Sequence, residues 1–293
     1  MRIGLTGATG FVGKHIVRLA AQRGHEVVAF TRSPNRDVPG AAETRLFSLD
    51  AAPDLSGCEA VIHLAGEPIL GLWTREKKRR IVESRVRGTR RIVEAIDAMS
   101  EKPEVLVNAS AIGFYGDGGD ADITERSPGG TGFLAATVRS WEDEARGAKS
   151  ERVVLLRTGI VLGKTGGALR RMAPAFRLGL GATIGDGRQW MSWIHVGDLA
   201  HLALFAVEDM DVRGPLNATA PWAARHGDFV QALARVLHRP AFLRIPAFAV
   251  RAALRGLAAE LLDSKRVLPA AAIERGFGFK FPELEPALRD LLG

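Results

Sequence analysis

The chain has 293 residues, and 46% of them are hydrophobic, so it is long enough to bury the core of one large α/β unit or two modest domains. Its formal net charge of +7 is small for this length and mostly scattered, which argues against a nucleic-acid-binding protein. The single cysteine, Cys58, excludes an intrachain disulfide, and its apolar surroundings predict a packed thiol rather than a nucleophile.

Apolar strand-like runs recur along the chain and alternate with amphipathic helical stretches. These runs cover residues 2–6, 27–31, 45–49, 60–64, 104–109 and 152–156. Such alternation predicts a parallel sheet covered by helices on both faces. Because ligands of these sheets gather beyond the carboxyl ends of the strands, we expect the chemistry in the loops that follow them.

The first of these loops is the glycine-rich turn TGATGFVG, which runs from Thr6 to Gly13 between a predicted strand and a predicted helix. A dinucleotide site needs one glycine for the tight turn, one for close approach of the pyrophosphate and one for close packing of helix and strand. Gly7, Gly10 and Gly13 stand where these tasks fall. The turn therefore predicts a nucleotide site in which the phosphates lie at the positive end of the helix.

The second strand ends in Thr31, Arg32 and Ser33, where many dinucleotide folds carry a carboxylate that binds the ribose of NAD. An arginine at this place favours the 2′-phosphate of NADP(H), which a carboxylate would repel. The alternative is that Arg32 is an ordinary solvated arginine.

An arginine- and lysine-rich run lies on a predicted helix. It includes Lys77, Lys78, Arg79, Arg80, Arg85, Arg87, Arg90 and Arg91. Since only Trp73 accompanies it as an aromatic residue, we expect a solvated face or a surface for an anionic ligand rather than a nucleic-acid groove.

The composition changes near residue 163, where a glycine-rich connection begins. We therefore expect a cofactor domain over residues 1–163, whose core also recruits part of 190–220. Residues 164–293 then form a substrate-side region, with a short C-terminal domain at about 244–291.

Several collinear segments carry a resemblance to a known family. They are TGATGFVG, HLAG, the segment ending in Tyr115-Gly116, LRTGIVLG and WIHVGDLA, together with HLAGEPI, SRVRGT, GDGRQWMSWIHVGDL, SKRVLP and GFGFKFP. The whole chain resembles the extended short-chain dehydrogenase/reductases of the NAD(P)-dependent epimerase/dehydratase family. It is similar within them to an atypical sugar-nucleotide epimerase-like subgroup with an uncharacterised C-terminal domain. The resemblance implies a Rossmann-type doubly wound sheet with a smaller C-terminal substrate-side subdomain.

The resemblance also implies which residues hold the cofactor. It places Gly7, Gly10 and Gly13 at the pyrophosphate, Arg32 at the 2′-phosphate and Asp50 at the adenine edge. The expected contacts are Thr6, Gly7, Thr9, Gly10, Phe11, Val12, Gly13, Thr31, Arg32, Ser33, Asp50, Leu64, Ala65, Gly66, Glu67, Arg85, Ser110, Arg157 and Gly159.

The chain departs from the family in its acid/base pair, Tyr-x-x-x-Lys. Its only tyrosine, Tyr115, is followed four residues later by Gly119, so the motif is absent. Aligning Glu142 with the helix glutamate of relatives places Leu134 at the tyrosine position and Val138 at the lysine position. Neither aliphatic side chain can transfer a proton, and such catalysis typically contributes about 10²–10⁴-fold to a rate.

Ser110, Tyr115 and Glu67 are the candidate substitutes for the missing pair. Each has an ordinary alternative, which is packing or substrate contact. His195 is a further candidate, although its segment mainly joins subdomains in relatives. The scattered histidines and single cysteine predict no metal site.

These observations predict an NADP(H)-dependent oxidoreductase that acts on an unknown small polar or nucleotide-linked substrate. The alternative is a non-catalytic NADP(H)-binding protein that senses redox state or regulates a partner. No run of the sequence has the length and apolarity of a membrane span, and the first strand begins at once. We therefore expect a cytoplasmic monomer or homodimer with no membrane or nucleic-acid partner.

Overall fold

The computed structural model describes residues 1–33 and 37–293, and strands alternate with helices through its first half. The strands are β1 (Arg2–Thr6), β2 (Glu26–Thr31), β3 (Glu43–Leu46), β4 (Ala60–His63), β5 (Val105–Ala111), β6 (Asp122–Ile123), β7 (Arg152–Thr158), β8 (Ile160–Leu162), β9 (Ala182–Ile184), β10 (Trp190–Met191), β11 (Trp193–His195), β12 (Gly214–Ala218), β13 (Ala224–Arg225), β14 (Leu243–Ile245) and β15 (Arg266–Val267). The helices are α1 (Phe11–Gln22), α2 (Arg75–Ala98), α3 (Phe133–Arg146), α4 (Gly167–Arg177), α5 (Val196–Glu208), α6 (His226–Val236), α7 (Ala247–Leu254), α8 (Leu257–Leu262), α9 (Ala270–Glu274) and α10 (Leu284–Leu292).

Seven parallel strands form the central sheet in the spatial order β12-β7-β5-β4-β1-β2-β3. Leu5 in β1 pairs with Ala29 of β2 on one side and with Ile62 of β4 on the other. Strand order reverses between β1 and β4, which is the switch point where a doubly wound sheet binds ligands. The predicted doubly wound parallel sheet is therefore confirmed.

Helices cover both faces of this sheet, as its almost continuously apolar strands require. On one face, Ile16 of α1 and Leu202 of α5 share a buried cluster with Ile3 of β1. On the other face, Ile92 of α2 packs in a cluster with Leu106 of β5. The two clusters hold the strands rigidly, so the loops at the carboxyl edge are positioned by the core.

Four two-stranded sheets accompany the central one: β10–β13, β11–β8, β14–β9 and β15–β6. The last of them brings residues from near the end of the chain next to the loop after β5. The division at residue 163 stays a prediction.

Within the described residues, no helix has the length and apolarity that crossing a membrane requires.

The segment WIHVGDLA joins the C-terminal region to the rest of the molecule. The Asp198 carboxylate accepts hydrogen bonds from the backbone N–H groups of Lys280 and Phe281, each at 2.9 Å. His195 accepts from the Gly197 N–H at 3.0 Å, and its ring lies 4.1 Å from that of Phe281. His195 therefore caps the start of α5 and packs against the C-terminal region.

Candidate functional site

The glycine turn after β1 is shaped by the absence of side chains. Gly7 adopts a φ of +73°, and a Cβ built there would lie 3.1 Å from the carbonyl carbon of Leu64. A Cβ on Gly13 would lie 2.2 Å from the Gly7 oxygen, which is far inside van der Waals contact. The Gly10 N–H donates to the Gly7 carbonyl at 2.8 Å and closes the turn. The close approach at Gly13 and the positive φ at Gly7 thus require glycine.

Helix α1 begins directly at this turn without a side-chain cap. Gly10 is its N-cap, and no acidic residue lies in the first turn. The first N–H groups of a helix have no intrahelical acceptor, and they attract an anion together with the helix dipole. The turn and the helix start therefore form a surface suited to phosphate oxygens.

The loop after β4 is tied to the glycine turn through Thr6. The Thr6 hydroxyl oxygen accepts from the N–H groups of Leu64 at 3.0 Å and Ala65 at 3.1 Å. It lies 2.7 Å from His63 Nδ1, and since its acceptor positions are taken, we assign it as the donor to this nitrogen. The loop is therefore fixed beside the turn, as a cofactor lying across both would need.

His63 is a polar residue of this region that sequence reasoning missed. Its side chain is fully buried, its Nε2 has no partner among the described residues, and burial lowers its pKa to about 3. The ring is therefore neutral at physiological pH. The sequence showed it as a polar residue closing a buried strand and as the first residue of the HLAG motif, but no role was assigned to it.

The expected adenosine contacts lie at the ends of β2 and β3. Arg32 and Ser33 are exposed directly after β2, and the Ser33 N–H lies 3.3 Å from the Thr31 hydroxyl. Asp50 is also exposed and lies 3.2 Å from a guanidinium nitrogen of Arg87. The side chains of Arg32, Ser33 and Asp50 all lie in the described part of the chain and are accessible from solvent.

Glu67 lies in a cationic setting beyond the loop after β4. Lys77 donates to its carboxylate at 2.6 Å, and this bond, followed by the nearby Arg80 and Arg85, lowers the pKa of Glu67. A carboxylate stabilised in this way is a weak general base. The catalytic role and the cofactor contact expected of Glu67 stay predictions.

Arg85 points from α2 to the same loop. Its guanidinium donates to the carbonyl oxygens of Glu67 at 2.9 Å and Ile81 at 3.2 Å, and it would lie 3.6 Å from a Cβ on Gly66. Burial lowers the pKa of Arg85 to about 10, so it remains a cation near neutral pH. A half-buried cation beside Gly66 is suited to an anionic group in this loop.

Ser110 and Tyr115 belong to a buried network beyond β5. The Ser110 hydroxyl donates to Glu142 at 2.6 Å, and Arg157 donates to both oxygens of that carboxylate at 2.8 Å. Arg157 also donates to the Tyr115 hydroxyl at 2.9 Å, and this hydroxyl donates to Asn217 Oδ1 at 2.7 Å. Both hydroxyls predicted as catalytic are thus engaged with protein groups.

This network affects the protonation of Tyr115 and the hydrogen-bond donors that Arg157 has free. Burial raises the pKa of Tyr115, although Arg157 opposes the shift, so the phenol is neutral at physiological pH. Arg157 is 2% exposed and directs three of its five N–H groups to Glu142 and Tyr115. Its expected cofactor contact, like the catalytic roles of Ser110 and Tyr115, stays a prediction.

The positions aligned with the family's catalytic pair lie on α3 and are buried. Leu134 packs against Gly113, where an added Cβ would meet it at 3.4 Å, and Val138 is 2% exposed. Gly159, another expected cofactor contact, packs against the Ser192 carbonyl, which a Cβ would approach to 2.6 Å. Nothing on α3 at the two aligned positions can replace the missing proton-transfer groups.

A segment from the C-terminal region completes the buried surroundings of this network. Asn217 Nδ2 donates to the Leu268 carbonyl at 2.9 Å, and the Thr219 hydroxyl donates to the Val267 carbonyl at 3.1 Å. The Val267 N–H donates to the Ser192 hydroxyl at 2.8 Å. The SKRVLP motif therefore contributes backbone groups to the interior beside Tyr115.

In residues 1–33 and 37–293, no cluster of three or more histidine, cysteine or acidic side chains is placed to hold a metal ion.

Comparisons with known proteins agree with this architecture. The model of the NAD dependent epimerase/dehydratase family matches residues 3–218, and a domain of unknown function, DUF1731, matches residues 245–291. The chain is 40% identical to the chloroplastic epimerase family protein SDR39U1 homolog of Arabidopsis thaliana, covering 100% of this chain and 87% of that protein. It is 38% identical to epimerase family protein YfhF of Bacillus subtilis, covering 100% and 98%.

A solved structure shows the same likeness in three dimensions. The crystal structure of human epimerase family protein SDR39U1 with NADPH superposes with a TM-score of 0.93 at 36% identity, covering 100% of this chain and 99% of that one. The family expected from the sequence motifs is confirmed. Because the family model spans residues 3–218 of the 293, over the sheet and glycine turn described above, the chain belongs to the NAD-dependent epimerase/dehydratase family.

Proposed function

We propose that this protein is an NADP(H)-dependent oxidoreductase of the epimerase/dehydratase type that acts on a small polar or nucleotide-linked substrate. The observation that carries the proposal is the turn at the switch point of the sheet. There, a Cβ on Gly13 would lie 2.2 Å from a backbone oxygen, and the helix beyond it begins without a cap. Such a turn is shaped for a pyrophosphate.

The preference for NADP(H) over NAD(H) rests on Arg32. Its side chain is exposed directly after β2, where a guanidinium can form two hydrogen bonds with a 2′-phosphate. The human relative whose structure matches this chain is in complex with NADPH. When bound, the cofactor supplies the hydride or accepts it, and Thr6 and Arg85 help to hold the loop against which it lies.

The substrate is proposed to bind on the solvent side of the loop after β4. Glu67 lies beside it with its carboxylate charged, so it can accept a hydrogen bond from a substrate hydroxyl. Ser110 and Tyr115 are the hydroxyls proposed to replace the missing pair. Proton transfer by either one requires a substrate oxygen to displace Glu142 or Asn217 from its present bond.

A second candidate function is supported by the chemistry of α3. Leu134 and Val138 cannot transfer protons, and the neighbouring hydroxyls are already bonded within the protein. A protein built in this way can bind NADP(H) without turnover and report the redox state of the cofactor to a partner. The two functions share the cofactor site and differ in whether a substrate reacts.

Calorimetric titration with NADPH and NADH tests the shared cofactor site. We expect NADPH to bind more tightly than NADH, and we expect Arg32→Ala to remove most of this difference. The exposed arginine Arg213 lies outside the site, and Arg213→Ala is the matched control. Equal binding of both cofactors by the unaltered protein would refute the assignment of Arg32.

A screen of carbonyl and alcohol substrates, followed by NADPH absorbance at 340 nm, then separates the two functions. Turnover that is lost in Ser110→Ala or Tyr115→Phe, with cofactor binding retained, supports the oxidoreductase. Tight cofactor binding without turnover across the screen supports the non-catalytic protein.

A further inference from the structure

Exposed apolar side chains are concentrated on two neighbouring segments far from the glycine turn in sequence. We call this region the basic apolar surface, and it consists of Leu178, Leu180, Phe242, Leu243, Ile245 and Phe248 with Arg177, Arg239, Arg244 and Arg251. Phe242 is 76% exposed, Leu178 75% and Phe248 72%. Contiguous apolar exposure of this kind marks an interaction site more often than an ordinary surface.

The two segments are neighbours because β9 and β14 pair in parallel. Leu243 lies opposite Ala182 and Ile245 opposite Ile184, while Thr183 between them is buried. Arg239 donates to the Arg177 carbonyl at 2.9 Å, which holds the end of α4 beside the start of the second segment. The pairing therefore brings the two segments together as one exposed region. Side chains alternate along β14, so Leu243 and Ile245 lie on one side of this strand and Arg244 on the other.

The charge of this surface is predominantly positive, and its nearest acidic residues by sequence, Asp186 and Glu260, lie directly beyond the two segments. Asp186 lines a depression together with Arg251. Residues 167–185 contain three arginines, residues 238–259 contain four, and neither segment contains an acidic residue. All seven arginines are exposed. Among the described residues, no carboxylate lies within 4.0 Å of the guanidinium groups of Arg177, Arg239, Arg244 or Arg251.

This combination of chemistry decides between the possible partners. A second copy of the chain would bring two arginine-rich surfaces together, and the like charges would repel. A nucleic acid would use the arginines and the two phenylalanines, but it would leave the four leucine and isoleucine side chains without apolar contact. A membrane with anionic headgroups satisfies both, since the arginines meet phosphates and the apolar side chains enter the acyl boundary.

We propose that the basic apolar surface docks the protein on membranes that contain anionic lipids. The protein lies on such a membrane and does not span it, in agreement with the absence of a spanning helix among the described residues. This proposal departs from the expectation, drawn from the sequence, that no membrane partner exists. Phe242 and Phe248 enter the interface, and the arginines select for negative headgroups.

Co-sedimentation of the full chain with vesicles tests the proposal. Vesicles of phosphatidylcholine alone are compared with vesicles that contain roughly 30% phosphatidylglycerol, which supplies a negative surface potential. We expect binding to the anionic vesicles that weakens as salt is added, and little binding to the neutral ones. Binding that is equal on both compositions, or absent from both, would overturn the proposal.

Variants assign the binding to this surface. Each arginine near an anionic membrane contributes roughly fivefold to affinity, so R177Q together with R244Q should weaken binding roughly 25-fold. Phe242→Ser and Phe248→Ser should each weaken it about tenfold, because each removes a phenyl ring from the interface. Trp222 is 64% exposed elsewhere, and Trp222→Ser is the matched control.

Two further measurements distinguish membrane docking from misfolding of the variants and from self-association. The melting temperature and the NADPH affinity of the surface variants should equal those of the unaltered protein, because the altered side chains are exposed. Sedimentation velocity without lipid should show the same oligomeric state for all variants. A dimer that dissociates in Phe242→Ser would assign the surface to a second copy and overturn membrane docking.

Discussion

Gly13→Ala tests the geometry of the turn most directly. An alanine Cβ at this position would lie 2.2 Å from the Gly7 oxygen and 2.8 Å from the Ala8 Cα, and both are backbone atoms. A carbon and an oxygen need about 3.2 Å, so the turn must move by about 1 Å. Alanine would add about 1 kcal/mol of helix propensity, but overpacking against an unyielding group costs about 1–3 kcal/mol or more. Because both atoms belong to the backbone, we take the upper end of this cost, about 3 kcal/mol, and expect a net loss of about 2 kcal/mol in the free energy of unfolding.

Urea unfolding measures this loss, and calorimetry with NADPH measures its effect on the cofactor site. Because the turn moves, we expect NADPH affinity to fall at least about tenfold, a loss of about 1.4 kcal/mol. Gly88→Ala in α2 is the control. Its Cβ would lie at ordinary contact distances of 3.5–3.7 Å from side chains of other segments. It should keep or raise the stability by up to about 1 kcal/mol. A Gly13→Ala protein with unchanged stability and unchanged NADPH affinity would refute the reasoning.

Three further predictions concern buried polar groups. Glu142→Gln leaves Arg157 without its buried counter-ion and should lower the free energy of unfolding by about 3–5 kcal/mol in urea, whereas an unchanged midpoint would contradict a buried pair. Burial lowers the pKa of His63 in the native protein to about 3, from 6.5 in the unfolded chain. Below pH 6.5 the unfolded chain therefore binds a proton that the native protein does not bind. Stability should therefore fall by about 2 kcal/mol between pH 7 and pH 5, and His63→Asn should flatten the pH dependence of thermal unfolding. Burial raises the pKa of Cys58 to about 11, so the native thiol should resist iodoacetamide at neutral pH and react once urea unfolds the chain; rapid native labelling would contradict this.

Local patterns in the sequence predict the central sheet well. Five of the six predicted strand runs overlap the observed strands within about two residues at each end, because buried parallel strands read as short apolar runs. The predicted run 45–49 is the exception, since β3 covers Glu43–Leu46. The packed thiol expected at Cys58 is confirmed, as the side chain is 3% exposed.

Side-chain pairings between distant segments could not be predicted in this way. Thr6 and His63 are 57 residues apart, and Tyr115 and Asn217 are 102 apart. Such pairs leave no periodicity in the sequence, since nothing near either partner in the chain indicates which distant residue it will contact. The engagement of the candidate hydroxyls therefore became visible only once the strands had been placed side by side.

The position of the SKRVLP segment has a consequence for how the protein matures during synthesis. Strands β1 to β12 are complete once residue 218 has been made, yet the Asn217 amide bonds to a carbonyl that is made 51 residues later. A nascent chain can thus assemble its cofactor half early on the ribosome, while the interior around Tyr115 stays open until Leu268 emerges. Pulse proteolysis of stalled chains should find this closure as a late, separate step.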